Sequence, residues 1–274
     1  MKKMTKIVMV LMMICAMAYA YSEPAEAASG SRISIRGIAF SLGSGYGAYD
    51  ANANALYAAM VNNSGAPTMT FACESDFNAF IETFRNNVFL GYDTDLLECD
   101  YTASTSYDYD GSNYVESGFV VTYNQSVIAK AHNYYTAVCY ANAAIGRIVA
   151  NGWTQKKAAT AIDSYIRKHS SYDRSYRRHA AIENFQGSSV CTGYACAYKL
   201  LCMAAGINCR IVTGYDKSTG GGHEWNRVKI GKTWYYNDTT WNDTSCTHTK
   251  WLLKKTFKDH RVTNGNDEDE LFSY

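Results

Sequence analysis

The run from Gly187 to Asn242 constrains this chain more than any other stretch. It reads G-S-S-V-C-T-G-Y-A-C-A-Y-K-L-L, then G-I-N-C-R-I-V-T-G-Y, then G-G-H-E-W-N-R-V-K-I-G-K-T-W-Y-Y-N-D-T-T-W-N. Cys191 follows Gly187-Ser188-Ser189 and opens a segment in which Tyr194, Ala197, Tyr198, Leu201 and Met203-Ala204 recur at helical spacing. That puts Cys191 in the first turn of a helix, where unpaired N–H groups and the positive end of the dipole favour a thiolate. His223 follows three glycines and leads an alternating run that predicts a strand, Gly231-Lys232 predicts a hairpin turn, and Trp234 to Asp238 the return strand. Counted back from the turn, His223 and Asp238 fall near one level of two paired strands. A carboxylate there accepts the imidazole N–H and fixes its tautomer.

Each residue alone has an ordinary explanation. A cysteine before a helix is usually a small buried hydrophobe, and an aspartate ending a strand usually starts a turn. The ordered set is what is specific: a nucleophile, a base and an orienter, 32 and 15 residues apart, the last two at hairpin spacing.

These motifs resemble the transglutaminase-like superfamily, in the bacterial secreted branch of papain-like cysteine enzymes. The resemblance rests on V-C-T-G-Y-A with a helix behind it, A-G-I-N-C-R-I-V-T-G-Y, H-E-W-N-R-V and W-Y-Y-N-D-T-T-W-N-D, and it covers Ala158 to Asp243. The segment Y-I-R-K-H-S-S-Y-D ahead of them resembles the lead-in helix of such proteins. The family often has Ala where this chain has Glu224. The resemblance implies a papain-like transglutaminase core, its nucleophile helix packed on an antiparallel sheet; the chain ahead of it reads as a small α+β N-terminal domain, so the fold expected is α+β. It implies Cys191 as nucleophile, His223 as base and Asp238 as orienter. Gln186, five residues before Cys191, stands where papain-like enzymes place an oxyanion amide; a plain loop glutamine, with the Cys191 backbone N–H as donor, is the other reading. Trp225 and Trp241 are candidates for support at the cleft wall, while Trp234 reads as core.

Composition narrows the partners. The 274 residues carry 26 basic and 25 acidic side chains, a net charge of +1, which gives no electrostatic reason to expect nucleic acid or a membrane surface as partner. Lys2, Lys3 and Lys6, an apolar run Ile7 to Ala18 and the small-residue sites Ala18-Tyr19-Ala20 and Ala25-Glu26-Ala27 predict an export signal, and so a secreted or cell-surface protein. Export permits disulfides among the cysteines beyond Cys15, but a free Cys191 leaves an odd number of others and hence at least one more free thiol. There is no pair of C-x-x-C motifs, no H-x-x-x-H and no EF-hand-like run, so neither metal nor cofactor is expected.

Residues 1–28 read as signal and linker, 31–125 as the N-terminal domain, 126–153 as a helical linker, 154–262 as the catalytic domain and 263–274 as an acidic tail. Within them, Arg32 to Phe40 alternates like a short strand. Ala51 to Val61 has helical composition, and Thr68 to Ala72 reads as a strand. Ser75 or Asp76 is placed to cap a helix bearing Phe77, Phe80, Ile81 and Phe84. Leu96 to Ser106 and Tyr114 to Tyr123 read as an antiparallel pair turning at Asp108-Tyr109-Asp110-Gly111. Ser126 to Ala150 is helical, Thr154 caps the next helix, Arg174 to His179 is a basic loop, and Thr249 to Phe257 has the spacing of a last helix with its lysines outward. The chemistry expected is thiol acyl transfer on a peptide or isopeptide amide, cell-wall peptide among the substrates. The short loop Asp216 to Gly222 and the compressed triad leave little chain for a second substrate channel, which favours hydrolysis over cross-linking. A true protein transglutaminase, or a non-catalytic surface- or wall-binding module on the same fold, are the alternatives.

Overall fold

The computed structural model describes residues 32–89, 97 and 100–263. The export signal, the acidic tail, and Leu96 and Cys99 lie outside the described residues. The chain divides into two compact units, one of residues 40–135 and one formed by 32–39 with 136–263.

In the first unit, helix α1 (Asp50–Asn62) precedes strand β1 (Thr68–Phe71), helix α2 (Glu74–Val88), and the hairpin β2 (Tyr101–Tyr109) and β3 (Tyr114–Tyr123). The sheet is antiparallel in the order β1-β3-β2, with Phe71 opposite Phe119. The apolar face of α2 is buried as its spacing predicts, and Phe77 meets Phe71 and Phe119 at ring separations of 5.3 and 5.6 Å. Two boundaries differ from expectation. The N-cap is Cys73, whose side chain caps no backbone N–H, because Ser75 and Asp76 already lie inside the first turn. The hairpin turns at 110–113, where the Asp110 carboxylate accepts from the Ser112 and Asn113 N–H groups.

Helix α3 (Gln125–Ile148) leads to α4 (Gln155–His169), which Thr154 caps by accepting from the Lys157 N–H at 3.2 Å. Then follow β4 (Ser171–Tyr172), α5 (Ala181–Phe185), β5 (Ser188–Ser189), α6 (Cys191–Ala204), β6 (Cys209–Asp216), β7 (Gly222–Ile230), β8 (Thr233–Asn237), α7 (Thr239–Thr244) and β9 (His260–Val262). Strands order β8-β7-β6-β9, all antiparallel, and α6 packs on β6 and β7, with α4 and α5 also against it. Every residue of α6 after Cys191 is buried, as an all-round apolar helix requires. The fold is α+β, a helix on an antiparallel sheet. Among the described residues no helix is long and apolar enough to cross a membrane.

Two expected elements are absent. Residues 32–39 make no ladder beyond one bridge, Arg32 to Thr154. Their N–H groups go elsewhere: Ile33 to the Trp153 carbonyl at 2.8 Å, Arg36 and Gly37 to that of Ala204, Ile38 to Asn142 Oδ1 at 2.7 Å. The alternation of isoleucines marks an extended segment that sinks Ile33 and Ile38 into the core, not a strand. Thr249 to Phe257 is not helical either. Lys254 and Tyr236 exchange backbone bonds of 2.7 and 2.8 Å, and Asp238 N–H reaches the Trp251 carbonyl at 3.1 Å. The free edge of β8 supplies these partners and outcompetes a helix. Cys139 is disulfide-bonded, whereas Cys73, Cys191, Cys196, Cys202, Cys209 and Cys246 are not in disulfides.

Candidate active site

Cys191 is the first residue of α6, with Val190 as N-cap, and is half-buried. Two residues on, Gly193 lets β5 come close: a Cβ there meets Ser189 Cβ at 2.5 Å and the Ala180 carbonyl at 3.0 Å. The cysteine is thus held at a helix start pressed against β5. His223, 7% exposed, is the second residue of β7. Asp238, fully buried, follows β8 and caps α7, its Oδ1 accepting from Trp241 N–H at 3.0 Å. The pairing of Asn226 with Asn237 sets Asp238 level with Trp225, two positions off His223, and the carboxylate reaches His223 diagonally. His223 Nε2 stands 2.8 Å from Asp238 Oδ2, and Cys191 lies near enough to His223 to bear on its charge. With Nε2 taken, Nδ1 is the nitrogen left for the sulfur.

A second shell of bonds fixes these groups. Asp163 on α4 accepts from Asn237 and Asn242 Nδ2, both at 3.1 Å, and from Arg167 Nε at 2.8 Å, so the residues flanking Asp238 are tied to α4. Asn226 Nδ2 donates to the Ala195 carbonyl at 3.0 Å and ties β7 to α6. The asparagines of H-E-W-N and Y-N-D-T-T-W-N are therefore braces rather than reagents.

Burial alone lowers the basicity of His223, but the Asp238 charge and its hydrogen bond outweigh this, with Cys191 adding to them, and the imidazole is pushed up to about 10. Burial likewise works against ionised Asp238, and the bonds from His223, His260 and Trp241 hold it below the usual carboxylate value. Both directions favour an imidazolium facing a carboxylate. A cation beside a sulfur favours its thiolate.

Among the supporting residues, Trp225 and Trp241 lie nearly parallel to the His223 ring, at 5.8 and 5.0 Å. Trp225 is buried and Trp241 half-buried. Trp234, read as core, is instead half-exposed beneath Arg210 and Arg227 at 5.3 and 5.2 Å, on the part of the sheet where cations rather than α6 cover the ring. Gln186 is exposed, and its amide oxygen accepts from Arg178 Nη2 at 3.3 Å.

Two residues of this region, Tyr172 and His260, were not foreseen. Tyr172 pairs with Ser189 across the short parallel β4–β5 ladder, and burial, followed by the nearby Cys191, pushes its phenol up to about 12. Its phenol stays neutral across the ordinary pH range. His260 on β9 places Nε2 2.9 Å from the same Asp238 Oδ2 that His223 uses. His223, Asp238 and His260 thus offer three ligand-type atoms within 4.8 Å of one another. Their contacts of 2.8 and 2.9 Å to one oxygen are hydrogen-bond lengths, and protons satisfy the cluster as it stands.

Residues 142–239 match the family model of the transglutaminase-like superfamily core, a span that takes in Cys191, His223 and Asp238 and ends before His260. That stretch carries a transglutaminase-like core. Human kyphoscoliosis peptidase is 28% identical over 105 residues, which span 32% of this chain and 16% of that protein's length. A candidate cysteine protease from Cytophaga hutchinsonii is 15% identical, with 60% of this chain and 76% of that one covered at a TM-score of 0.33. A TGase crystal structure is 11% identical, with 64% and 51% covered, also at a TM-score of 0.33.

Proposed function

We propose that this protein is a cysteine-dependent acyl-transfer enzyme that hydrolyses peptide or isopeptide amides. The observation that carries this is the unbroken chain from Asp238 through His223 to a half-buried Cys191 at a helix N-terminus. The thiolate attacks the amide carbonyl, and the Cys191 backbone N–H and the Tyr172 hydroxyl receive the oxyanion. His223 gives its Nδ1 proton to the leaving amine as the C–N bond breaks, and the thioester forms. Water, deprotonated by the now neutral His223, then attacks the thioester. The acid leaves, and the proton returns to the imidazolium–thiolate pair.

Cys191 is expected to alkylate ahead of the other thiols at a pH near 6. Ordinary thiols titrate at about 8.5 and are protonated there, whereas His223 stays charged until about pH 10. Brief iodoacetamide treatment followed by peptide mass spectrometry measures this. Cys246 is the control, because it is more exposed than Cys191 and pairs with no histidine in the structure. Labelling of Cys246 at the same rate or faster refutes an activated thiol at Cys191.

Hydrolysis is expected to exceed amine transfer when both are offered. The Asp216 side chain accepts from Ser218 and Thr219 and closes the loop before β7 into a tight turn, which leaves little chain to wall off a second channel. A glutamine-containing or cell-wall peptide library, offered with a labelled primary amine at millimolar level, decides between them. Release of ammonia or a shorter peptide without label supports hydrolysis, and stoichiometric uptake of the amine makes the protein a transglutaminase.

A further inference from the structure

His260 lies 22 residues beyond Asp238, outside the stretch matched to the superfamily core. Its side chain is 1% exposed and is boxed by Trp241 at 4.1 Å, Phe257 at 4.4 Å and Trp225 at 4.7 Å. Gly214 makes room for this arrangement. A Cβ at that point of β6 falls 2.0 Å from the Arg261 carbonyl and 2.7 Å from the Trp225 ring, so only glycine lets β9 and the indole approach together. Both nitrogens of His260 are engaged: Nε2 with Asp238 Oδ2 and Nδ1 with Asp259 Oδ1, each at 2.9 Å. Each ring nitrogen therefore has a carboxylate oxygen within hydrogen-bond reach. Asp259 is itself held by Trp251 Nε1 at 3.0 Å and Lys250 Nζ at 3.3 Å, with its side chain one-third exposed.

We propose, on the strength of the thiol chemistry inferred above, that His260 is a second positioning residue: it grips the Asp238 carboxylate alongside His223 and takes up part of its charge, leaving His223 a better proton donor to the leaving amine. An imidazolium held by an unshared buried carboxylate keeps its proton too tightly to pass it on. Sharing one oxygen between two rings weakens that hold while the second grip keeps the carboxylate in place. The charged and titratable groups around His260 are Asp238 ahead of α7, His223 on β7, Asp259 beside it with Lys250 behind, and Asp216 opposite it on β6, whose carboxylate is turned into its own loop. Cys191 is reached through His223.

The test needs no substrate: it follows the rate of Cys191 alkylation by iodoacetamide against pH, read peptide by peptide. The wild-type rate inflects where His223 loses its proton. In His260→Phe, which keeps a ring in the aromatic box but no donor, that inflection is expected to move up by about one pH unit, because His223 then holds Asp238 alone. His260→Gln restores an uncharged donor and is expected to fall between the two. A folded His260→Phe with the wild-type inflection overturns the proposal. Where His260→Phe does not fold, Asp259→Ala removes the outer acceptor from a partly exposed position; an upward shift supports the proposal, and an unchanged inflection overturns it. Wild-type protein whose Cys191 shows no preferential labelling fails at the earlier step, the activated thiol, and is recognised without any variant.

Discussion

Cys191→Ala is expected to abolish turnover, with a loss on the order of 10⁶-fold in kcat, and to leave the fold intact. Losses of that size follow removal of a covalent nucleophile, after which only binding and oxyanion stabilisation remain. Among the described residues, Cys191 is the thiol that bears on His223. Cys196, Cys202 and Cys209 are buried, and Cys73 bonds to Ser75 Oγ at 2.9 Å. The helix does not depend on the sulfur either, because its N-cap is Val190 and α6 is anchored by its buried face. The expected stability change is therefore below about 1 kcal/mol, in line with a half-exposed position that makes no cap. Activity on a hit from an amide-substrate screen, measured beside a thermal melt, checks both statements. Wild-type turnover in a folded Cys191→Ala protein sinks the mechanism.

Legibility in the sequence followed the range of the contacts. Cys191 was readable from its own helix, and His223 and Asp238 from a hairpin whose turn, Gly231-Lys232, fixes the count. Even there the level was off by two positions, since β8 ends at Asn237 and Asp238 already belongs to the cap of α7. Tyr172 and His260 were out of reach. One pairs with the segment ahead of Cys191 through a two-residue parallel ladder, and the other sits on a three-residue strand added at the edge of β6. Neither strand is long enough to show periodicity. The lysines and apolar residues of Thr249 to Phe257 mimic a helix, but their backbone partners lie on the β8 edge, which spacing cannot reveal. Trp234 was misplaced for a related reason. Alternation along a strand does not say which face α6 will cover, and the side of the sheet carrying Arg210 and Arg227 accepts an indole as readily as the core does.

Asp238→Asn is expected to cost roughly 10⁴-fold in rate while the protein stays folded, the size of effect seen when an orienting carboxylate becomes an amide. The structure gives the reason atom by atom. Trp241 N–H donates to Oδ1 and holds the amide oxygen of the variant in that position. The new NH₂ then replaces Oδ2, where both His223 Nε2 and His260 Nε2 now donate. Its two hydrogens can satisfy both rings, but only if each ring gives up its Nε2 proton and accepts instead. His223 is then a neutral imidazole with its proton on Nδ1, the nitrogen facing Cys191, and cannot serve as base toward the thiol. The pH dependence of stability supplies an independent reading. In the wild type the raised His223 contributes stability that is complete below its ordinary value of 6.5 and is lost as pH rises through about 10. The depressed Asp238 contributes stability that is complete above its ordinary value of 3.8 and is lost as pH falls through its lower folded value. Asp238→Asn removes both contributions, so its melting temperature is expected to vary less with pH at each end than that of the wild type. A variant that stays within ten-fold of wild-type rate, or whose melting curve keeps the wild-type pH dependence, rules out Asp238 as the residue that holds His223 in its working tautomer.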